Sequence, residues 1–460
     1  MQGTCIDPNF PYCDTDGSIG GTPGACIAVT CTVGQFSKCD GNNAALTCNM
    51  YGTGYDQIQC AHGCDESIGG CRLCEPNQTV CANGMVASCD ANGNQTQPIV
   101  CPLGCFEDQP RCRDIDPSNR LGLYYDMVAT PPDVDLTGSW NLNASTGILT
   151  GPGGVTLTPP TFEVPSLAGG PETRLFVVNK LTIGDLMIFD DYSQALYRSV
   201  SFLASGDVTV TGTVTIASSA GSIHSSSCRG ASGTDGAEQF GPCTFLSPGG
   251  GGAATSGAHG GTVIDSNPPV YKAGGIANGT DDLQPLVGGC SGGGASNSNS
   301  GVTTAEGGWG GGAIQISSRT SITVTGAIHA DGDDGFSDRD QGCRESWLGA
   351  GGGGAILLEA PKVALSANAM VSAIGGTGWG CTPGTATCGA KGKGGTGTAA
   401  ASPGGDAVFS TALGQDAEYY SGGGGGGVGR VRINTQSGSY TLDATAKINA
   451  VVTASTLKTR

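Results

Sequence analysis

Four segments of the chain repeat one pattern of alternating apolar residues, and this repeat constrains the fold more than any other feature. The segments have about 20 residues each and begin at Val200, Ala313, Ala355 and Val431. Each contains two alternating stretches separated by a polar bend, then a corner of Gly, Ala or Asp and a third short stretch. Alternation with a period of two predicts strands with one buried face. Three such strands joined by corners predict one coil of a parallel β-helix.

The repeat also predicts which residues stack on one another. The corresponding residues are Val208, Val210 and Val214; Ile322, Val324 and Ile328; Val363, Leu365 and Val371; and Tyr440, Leu442 and Ile448. Residues 174–191 are predicted to form an earlier coil of the same kind. Because one coil cannot bury its apolar face alone, the coils must stack.

Glycine-rich insertions separate the predicted coils, at residues 218–312, 331–354 and 376–427. Each insertion leaves after a third strand and returns just before a first strand, so all three are predicted to emerge from one edge of the helix. Runs such as 249–252 and 422–427 are glycine alone and behave as flexible linkers in isolation. Side by side, they are predicted to form extended helices of three residues per turn, bonded backbone to backbone. Flexible loops are the alternative.

The first 113 residues contain a second repeat, which is carried by cysteine. Cys31, Cys39, Cys48, Cys60, Cys64 and Cys71 follow C-x7-C-x8-C-x11-C-x3-C-x6-C. Cys74, Cys81, Cys89, Cys101, Cys105 and Cys112 follow C-x6-C-x7-C-x11-C-x3-C-x6-C. The sequence therefore predicts a partial cysteine-rich unit over 1–30, six-cysteine modules over 31–73 and 74–113, and a glycine-rich β-helix domain over 114–460.

Disulfides explain these cysteines better than zinc does. Zinc sites favour paired C-x2-C knuckles, but the one such pair here, Cys71 and Cys74, straddles the boundary between the modules. Fifteen of the 21 cysteines lie before residue 113, a density typical of an oxidising compartment. Because the total is odd, at least one thiol has no partner within the chain. We therefore predict an extracellular or outer cell-surface location, with an export signal outside this sequence.

Charge and hydropathy exclude two classes of partner. The net charge is −18 and no basic stripe exists, so we predict no binding to nucleic acid. No stretch approaches the roughly 18–20 apolar residues of a membrane helix, so we predict no membrane insertion. The remaining partners are a cell-surface glycan or protein, or copies of the chain itself.

No catalytic set is visible in the sequence. Polysaccharide-cleaving β-helix enzymes need carboxylates aligned across neighbouring coils, and the outward positions here are mostly Thr and Ser. We predict no catalytic, cofactor-binding or metal-binding residue. Calcium at Asp331, Asp333 and Asp334 is the alternative for a cofactor, although their spacing fits neither an EF-hand nor the nonapeptide calcium repeat. Asp-Gly sequences are also ordinary turn chemistry.

Aromatic residues amid the glycine insertions are the predicted ligand-binding residues. These are Trp347, Trp379, Tyr419 and Tyr420. A flat ring surrounded by glycine offers a stacking face for a sugar or a partner surface. The alternative is that these rings shield exposed glycine backbone.

The string GGGGAILLEAPKVALSANAMVSAIGG, together with GGGGGGVGRVRINT, resembles the glycine-rich surface proteins and lipoproteins of myxobacteria. The resemblance covers about residues 115–450, and the six-cysteine repeats are similar to modules that precede such domains. It implies export and a right-handed, pectin-lyase-like parallel β-helix, and it implies no activity.

These observations predict a non-enzymatic, extracellular structural or adhesive protein. One alternative is the repeating subunit of an extracellular fibre, since an uncapped coil exposes unpaired strand edges. The second alternative is a polysaccharide-active β-helix enzyme.

Overall fold

The computed structural model is built almost entirely of strands. The residues that it describes are 5, 10, 12–15, 17, 22–72, 74–75, 77–90, 96–165, 167, 170–190, 198–217, 237–238, 245–246, 248–261, 272–296, 303–305, 307–335, 337–338, 346–378, 392–396 and 422–460. Among them, helix is limited to two short 3-10 helices, Leu121–Asp126 and Pro152–Gly154. No helix of this part of the chain is long and apolar enough to cross a membrane. The all-β prediction is confirmed, and the chain divides into two compact units, residues 1–114 and 115–460.

Short antiparallel hairpins and disulfides make up the first unit. Its strands are Tyr12–Asp14, Ala25–Ile27, Phe36–Cys39, Ala44–Cys48, Tyr55–Gln59, Cys64–Asp65, Gly70–Cys71, Thr79–Ala82, Met85–Ser88 and Ile99–Val100. The prediction of disulfides is confirmed. The bridges are Cys5–Cys26, Cys31–Cys48, Cys39–Cys64, Cys60–Cys71, Cys74–Cys89, Cys81–Cys105 and Cys101–Cys112. Both six-cysteine copies therefore share one connectivity, first to third, second to fifth and fourth to sixth. Such bridges indicate an oxidising environment.

Cys13 is the free thiol among the described cysteines. The seven bridges use 14 of the 15 cysteines before residue 113, which leaves this one. It lies opposite Cys26 in the hairpin of Tyr12–Asp14 and Ala25–Ile27. The extra residue in the first gap of the first copy is accommodated by a register shift between Phe36 and Lys38.

Three parallel ladders, followed in chain order, organise the second unit. The first ladder contains Thr173–Val178, Ser199–Ala204, Ala313–Ser318, Ala355–Glu359, Arg430–Thr435 and Val451–Thr456. The second contains Leu181–Phe189, Val208–Val210, Ser321–Val324, Lys362–Leu365 and Thr441–Leu442. The third contains Leu181–Phe189 again, Thr213–Ile216, Ala327–His329, Met370–Ser372 and Lys447–Asn449. Successive strands of one parallel ladder need a long crossover connection, and here each crossover within the first ladder after Ser199–Ala204 contains strands of the other two ladders or glycine segments.

Additional strands lie at the start of the ladders and between them. Val134–Asn143 pairs parallel with Leu181–Phe189, whereas Ile148–Thr150, Thr156–Leu157 and Thr161–Val164 pair antiparallel with their neighbours. The remaining antiparallel pairs are Ala237–Glu238 with Phe245–Leu246, Ala295–Ser296 with Thr303–Ala305, and Ser337–Asp338 with Ser346–Trp347.

The register of the ladders agrees with the predicted residue rows. In the second ladder, Val208 pairs with Ile322 and Ile322 pairs with Val363. In the third ladder, Ile328 pairs with Val371. These side chains belong to one continuous buried cluster that runs along all three ladders. Burying a side chain of this size stabilises the fold by roughly 1.5–3 kcal/mol, so the rows of apolar residues hold the ladders together.

Glycine segments of the second unit form a hydrogen-bonded body, which we call the glycine array, and its segments 287–294, 348–354 and 422–429 are buried throughout. In the described chain it consists of 248–261, 272–279, 287–294, 307–312, 330–335, 348–354, 373–378, 392–396 and 422–429. Backbone hydrogen bonds join these segments, for example from Gly251 N to Ala350 O and from Gly427 N to Gly251 O, both 2.8 Å. The glycine array thus satisfies its buried backbone groups without regular strands.

Four successive glycines show the geometry of the glycine array. A Cβ atom added to any of them would lie well inside 3.0 Å of a backbone carbonyl oxygen. These oxygens belong to Ala273 for Gly249, Gly425 for Gly250, Cys290 for Gly251 and Ile276 for Gly252. Gly249 and Gly252 face the same neighbouring segment, and the two residues between them face two others. This is the period of an extended helix with three residues per turn, packed so closely that only glycine fits.

Candidate binding groove

Of the four predicted ligand-binding residues, only Trp347 falls among the described residues. It lies in the two-residue strand Ser346–Trp347, opposite Ser337. Trp379, Tyr419 and Tyr420 lie outside the described residues. The prediction of a site at these four positions therefore stays a prediction.

A different group of aromatic side chains lines a groove of about 810 Å³ in the first six-cysteine module. We call it the aromatic groove. Its rings belong to Tyr12, Phe36, Tyr51 and Tyr55. Tyr12 and Tyr51 stand edge to face, with ring centroids 6.1 Å apart. The three tyrosines are 37–47% exposed, which leaves part of each side chain accessible to a ligand.

A tight turn holds Tyr51 in place. The side-chain oxygen of Asn49 accepts hydrogen bonds from the backbone N–H of Tyr51 and of Thr53, at 3.1 and 3.0 Å. Gly52 follows with a φ of 71°, and a Cβ atom there would also lie 3.0 Å from the carbonyl oxygen of Cys31. Both the positive φ angle and the nearby carbonyl oxygen of Cys31 therefore require glycine at position 52. Its carbonyl oxygen accepts the N–H of Thr30 at 2.7 Å, which ties the turn to the opposite wall.

Strand pairing and one disulfide bring the other walls together. Tyr55 is the first residue of the strand Tyr55–Gln59. It pairs with Cys48, which forms a disulfide with Cys31. Phe36 begins the neighbouring strand, Phe36–Cys39, and pairs with Thr47. The Cys31–Cys48 bridge joins the segment before Phe36–Cys39 to the strand that pairs with Tyr55, and so it holds the walls of the aromatic groove together.

Two exposed valines, Val29 and Val33, and a set of polar, uncharged groups complete the lining. Thr32, Gln35 and Ser37 are exposed along the groove, and no Asp, Glu, Lys, Arg or His lines it among the described residues. In a chain of net charge −18 this is a locally neutral surface. Its hydroxyl and amide groups both donate and accept hydrogen bonds.

The second six-cysteine module has the same bridges without the rings. By the strand register, Thr79 takes the place of Phe36, since Thr79 pairs with Ser88 as Phe36 pairs with Thr47. By the shared C-x11-C spacing, Asn92 stands where the first copy has Tyr51, and Thr96 where it has Tyr55. The disulfide framework therefore does not require these rings.

Sequence reasoning missed the aromatic groove, although one signal was present. Tyr51 and Tyr55 lie between the third and fourth cysteines of the first copy, where the second copy has polar residues at the equivalent positions. Tyr12 lies ahead of both copies, so no repeat could place it. Aromatic residues confined to one copy of a repeat are the signal that would have found part of the lining.

A buried polar cluster in the second unit surrounds Glu359, which is 2% exposed. Its carboxylate accepts hydrogen bonds from Ser118 Oγ at 2.8 Å, Gln315 Nε2 at 2.8 Å, Ser317 Oγ at 3.1 Å and Asn434 Nδ2 at 2.8 Å. The backbone N–H of Ser118 donates a further bond. Five donors and near-complete burial give this carboxylate a structural role, fixing the segment before Leu121–Asp126 against the first ladder.

The aspartates proposed for calcium bond to the protein itself. Asp331 accepts hydrogen bonds from Ser372 Oγ and from the backbone N–H of Ile374, and it lies 3.4 Å from His329 Nδ1. Asp334 accepts the N–H of Thr377 at 2.6 Å. Among the described residues, no group of three or more His, Cys, Asp or Glu is arranged to hold a metal ion. These carboxylates link the segment after the strand Ala327–His329 to the strand Met370–Ser372 and the residues that follow it.

Acid is expected to weaken the link made by Asp331. Burial acts to raise the pKa of this carboxyl, but the hydrogen bonds from His329, Ser372 and Ile374 outweigh it and hold the pKa below its usual value. A lowered folded-state pKa stabilises the fold above the unfolded-state value, about 4, and this contribution is lost as the pH falls. We expect Asp331→Asn to be less stable than the wild type at pH 7, with the difference shrinking at about pH 3. Urea denaturation at both pH values measures this, and an unchanged difference would show that the charge contributes nothing.

No family model, no curated protein and no solved structure matches this chain.

Proposed function

We propose that this chain is a non-enzymatic extracellular protein with a structural or adhesive role, built on a right-handed parallel β-helix. In-register parallel ladders that follow chain order support the helix. Right-handed crossovers between parallel strands are the strong rule in proteins, which supports the handedness. The resemblance to glycine-rich surface proteins and the seven bridges support export to the cell surface.

The glycine array is the observation that carries the proposal. Each of its segments lies between a strand of the third ladder and the next strand of the first ladder, for instance between Ile216 and Ala313. Insertions at this position emerge from one edge of a β-helix. Closely packed glycine backbone presents few functional groups for chemistry but gives a rigid body. Such a body suits a spacer or a scaffold that displays contact surfaces.

Binding to cells and the appearance of native material test this proposal. Purified full-length chain, labelled at a lysine, is incubated with intact cells of its source and with unrelated cells. We expect saturable binding to one of them, or incorporation into isolated extracellular material. Absence of both would overturn the structural and adhesive roles. Release of soluble product from a panel of acidic polysaccharides would instead support the alternative that the chain is a polysaccharide-active enzyme.

A fibre subunit is the second candidate, favoured by the strand at the end of the first ladder. Val451–Thr456 pairs with Arg430–Thr435, and its successive residues alternate between half-buried and exposed. Among the described residues, no strand pairs with its other edge. An open parallel edge is a template for a strand from another copy. Electron microscopy of native material distinguishes the two: filaments with a regular axial rise support the fibre, and single particles support the monomeric adhesin.

A further inference from the structure

We infer that the aromatic groove of the first six-cysteine module binds a neutral carbohydrate chain. This inference rests on the adhesive role proposed above and names the class of ligand that the role requires. It concerns the first unit alone, so it does not depend on the handedness of the ladders or on the packing of glycine.

The open rings match the apolar face of a sugar. A pyranose ring presents a patch of C–H groups that packs against an aromatic face, whereas its hydroxyl groups point sideways. Tyr51 and Tyr55 are exposed on the same groove, and Tyr12 stands edge to face against Tyr51. Rings held by a turn and a strand lose little freedom on binding, because a tyrosine side chain has only two rotatable angles.

The polar lining matches the edges of a sugar. Thr32, Ser37 and Gln35 carry hydroxyl and amide groups that both donate and accept, as sugar hydroxyls do. A proline-rich peptide also docks on aromatic-lined grooves, but it presents mainly carbonyl acceptors and so uses only the donors of this lining. Sugar hydroxyls use both its donors and its acceptors.

Charge selects a neutral glycan over an acidic one. The lining contains no cationic side chain in the described residues, and the whole chain carries −18. An acidic polysaccharide would meet unfavourable electrostatics both in the aromatic groove and at longer range. The volume of about 810 Å³ lies within the range of small-ligand sites.

The second module shows that the rings are not needed for folding. It keeps the connectivity of the first module with Thr79, Asn92 and Thr96 at the aromatic positions. Tyrosines that are 37–47% exposed also contribute less to stability than fully buried ones, since less of their surface is removed from water. A role in binding accounts for exposed aromatic residues that folding does not require.

The test uses the full-length chain and substitutes residues of the second module into the first. The groove variant is Phe36→Thr, Tyr51→Asn and Tyr55→Thr together. The matched control is Met50→Ala with Ile58→Thr, which removes exposed apolar side chains of the same module outside the groove lining. Both are compared with the wild type by calorimetry and on an immobilised panel of neutral glycans, acidic glycans and proline-rich peptides. Mass spectrometry of the disulfides verifies that each variant is folded.

We expect the wild type and the control to bind at least one neutral glycan, and the groove variant to bind it at least about tenfold more weakly. Equal binding by the groove variant would overturn the inference, as would binding confined to acidic glycans or to the peptides. If the wild type binds cells but no neutral glycan, the inference fails and the adhesive role stands. If it binds neither cells nor extracellular material, the proposed function itself fails.

Discussion

Replacing Gly426 with alanine is expected to destabilise the second unit by about 4 kcal/mol or more, at the upper end of what single substitutions do. A Cβ atom at this position would overlap the carbonyl oxygen of Gly351, and no flexible side chain is available to move aside. The N–H of Gly426 also donates to Gly376 O at 3.0 Å, so a displaced backbone loses this bond. Thermal and urea denaturation of the full chain, followed by circular dichroism, measures the effect.

Gly153→Ala is the matched control for this substitution. Gly153 has open space around its missing Cβ and a φ of 69°. Alanine there adds only the cost of a left-handed backbone, about 1–2 kcal/mol. If Gly426→Ala costs no more than Gly153→Ala, close packing of the glycine array is wrong.

Removing the Cys39–Cys64 bridge is expected to unfold the first six-cysteine module. The bridge closes a sequence separation of 25 residues. Loss of a native disulfide from a small secreted domain costs about 2–5 kcal/mol, and a module of this size has little core to offset it. Tyr55–Gln59, for example, is exposed along its whole length. We expect Cys39→Ser with Cys64→Ser to make residues 31–73 sensitive to protease at 37 °C, while the ladders keep their melting transition.

Cys13→Ser serves as the control because it removes the free thiol and breaks no bridge. Limited proteolysis with mass spectrometry locates the cleavage sites in both variants. If the double variant resists protease as well as the control does, the disulfides are not what stabilises this module.

Much of the ladder arrangement was predictable from alternation alone. A period of two places Val210, Val324 and Leu365 on one buried face, and residues at equivalent points of a repeat stack when the coils do. The corner glycines and polar bends then fix where each strand ends. These are local signals, repeated often enough that each copy supports the others.

The disulfide connectivity was not predictable, although the two modules were. Six cysteines allow fifteen pairings, and spacing does not choose among them. The choice depends on which strands become neighbours. In the first module the register of Ala44–Cys48 against Tyr55–Gln59 and Phe36–Cys39 decides it.

The aromatic groove was not predictable from the sequence for a related reason. Its rings come from separate strands and turns, and Tyr12 belongs to a hairpin outside the repeat. Only folding brings them together. The prediction of a binding residue at Trp347, by contrast, rests on a local signal, an aromatic residue within a glycine-rich segment.

Amide hydrogen exchange of the full-length chain tests the central claim most directly. Slow exchange in the glycine segments distinguishes a rigid body from a set of ladders joined by flexible loops. We predict that peptides covering 348–354 and 422–429 exchange as slowly as the ladder strand Ala355–Glu359, since their buried N–H groups are hydrogen-bonded. The turn at 436–439 serves as the fast reference, because it is mostly exposed and its few hydrogen bonds lie at the surface. Exchange of the glycine peptides at the rate of that turn would contradict the account.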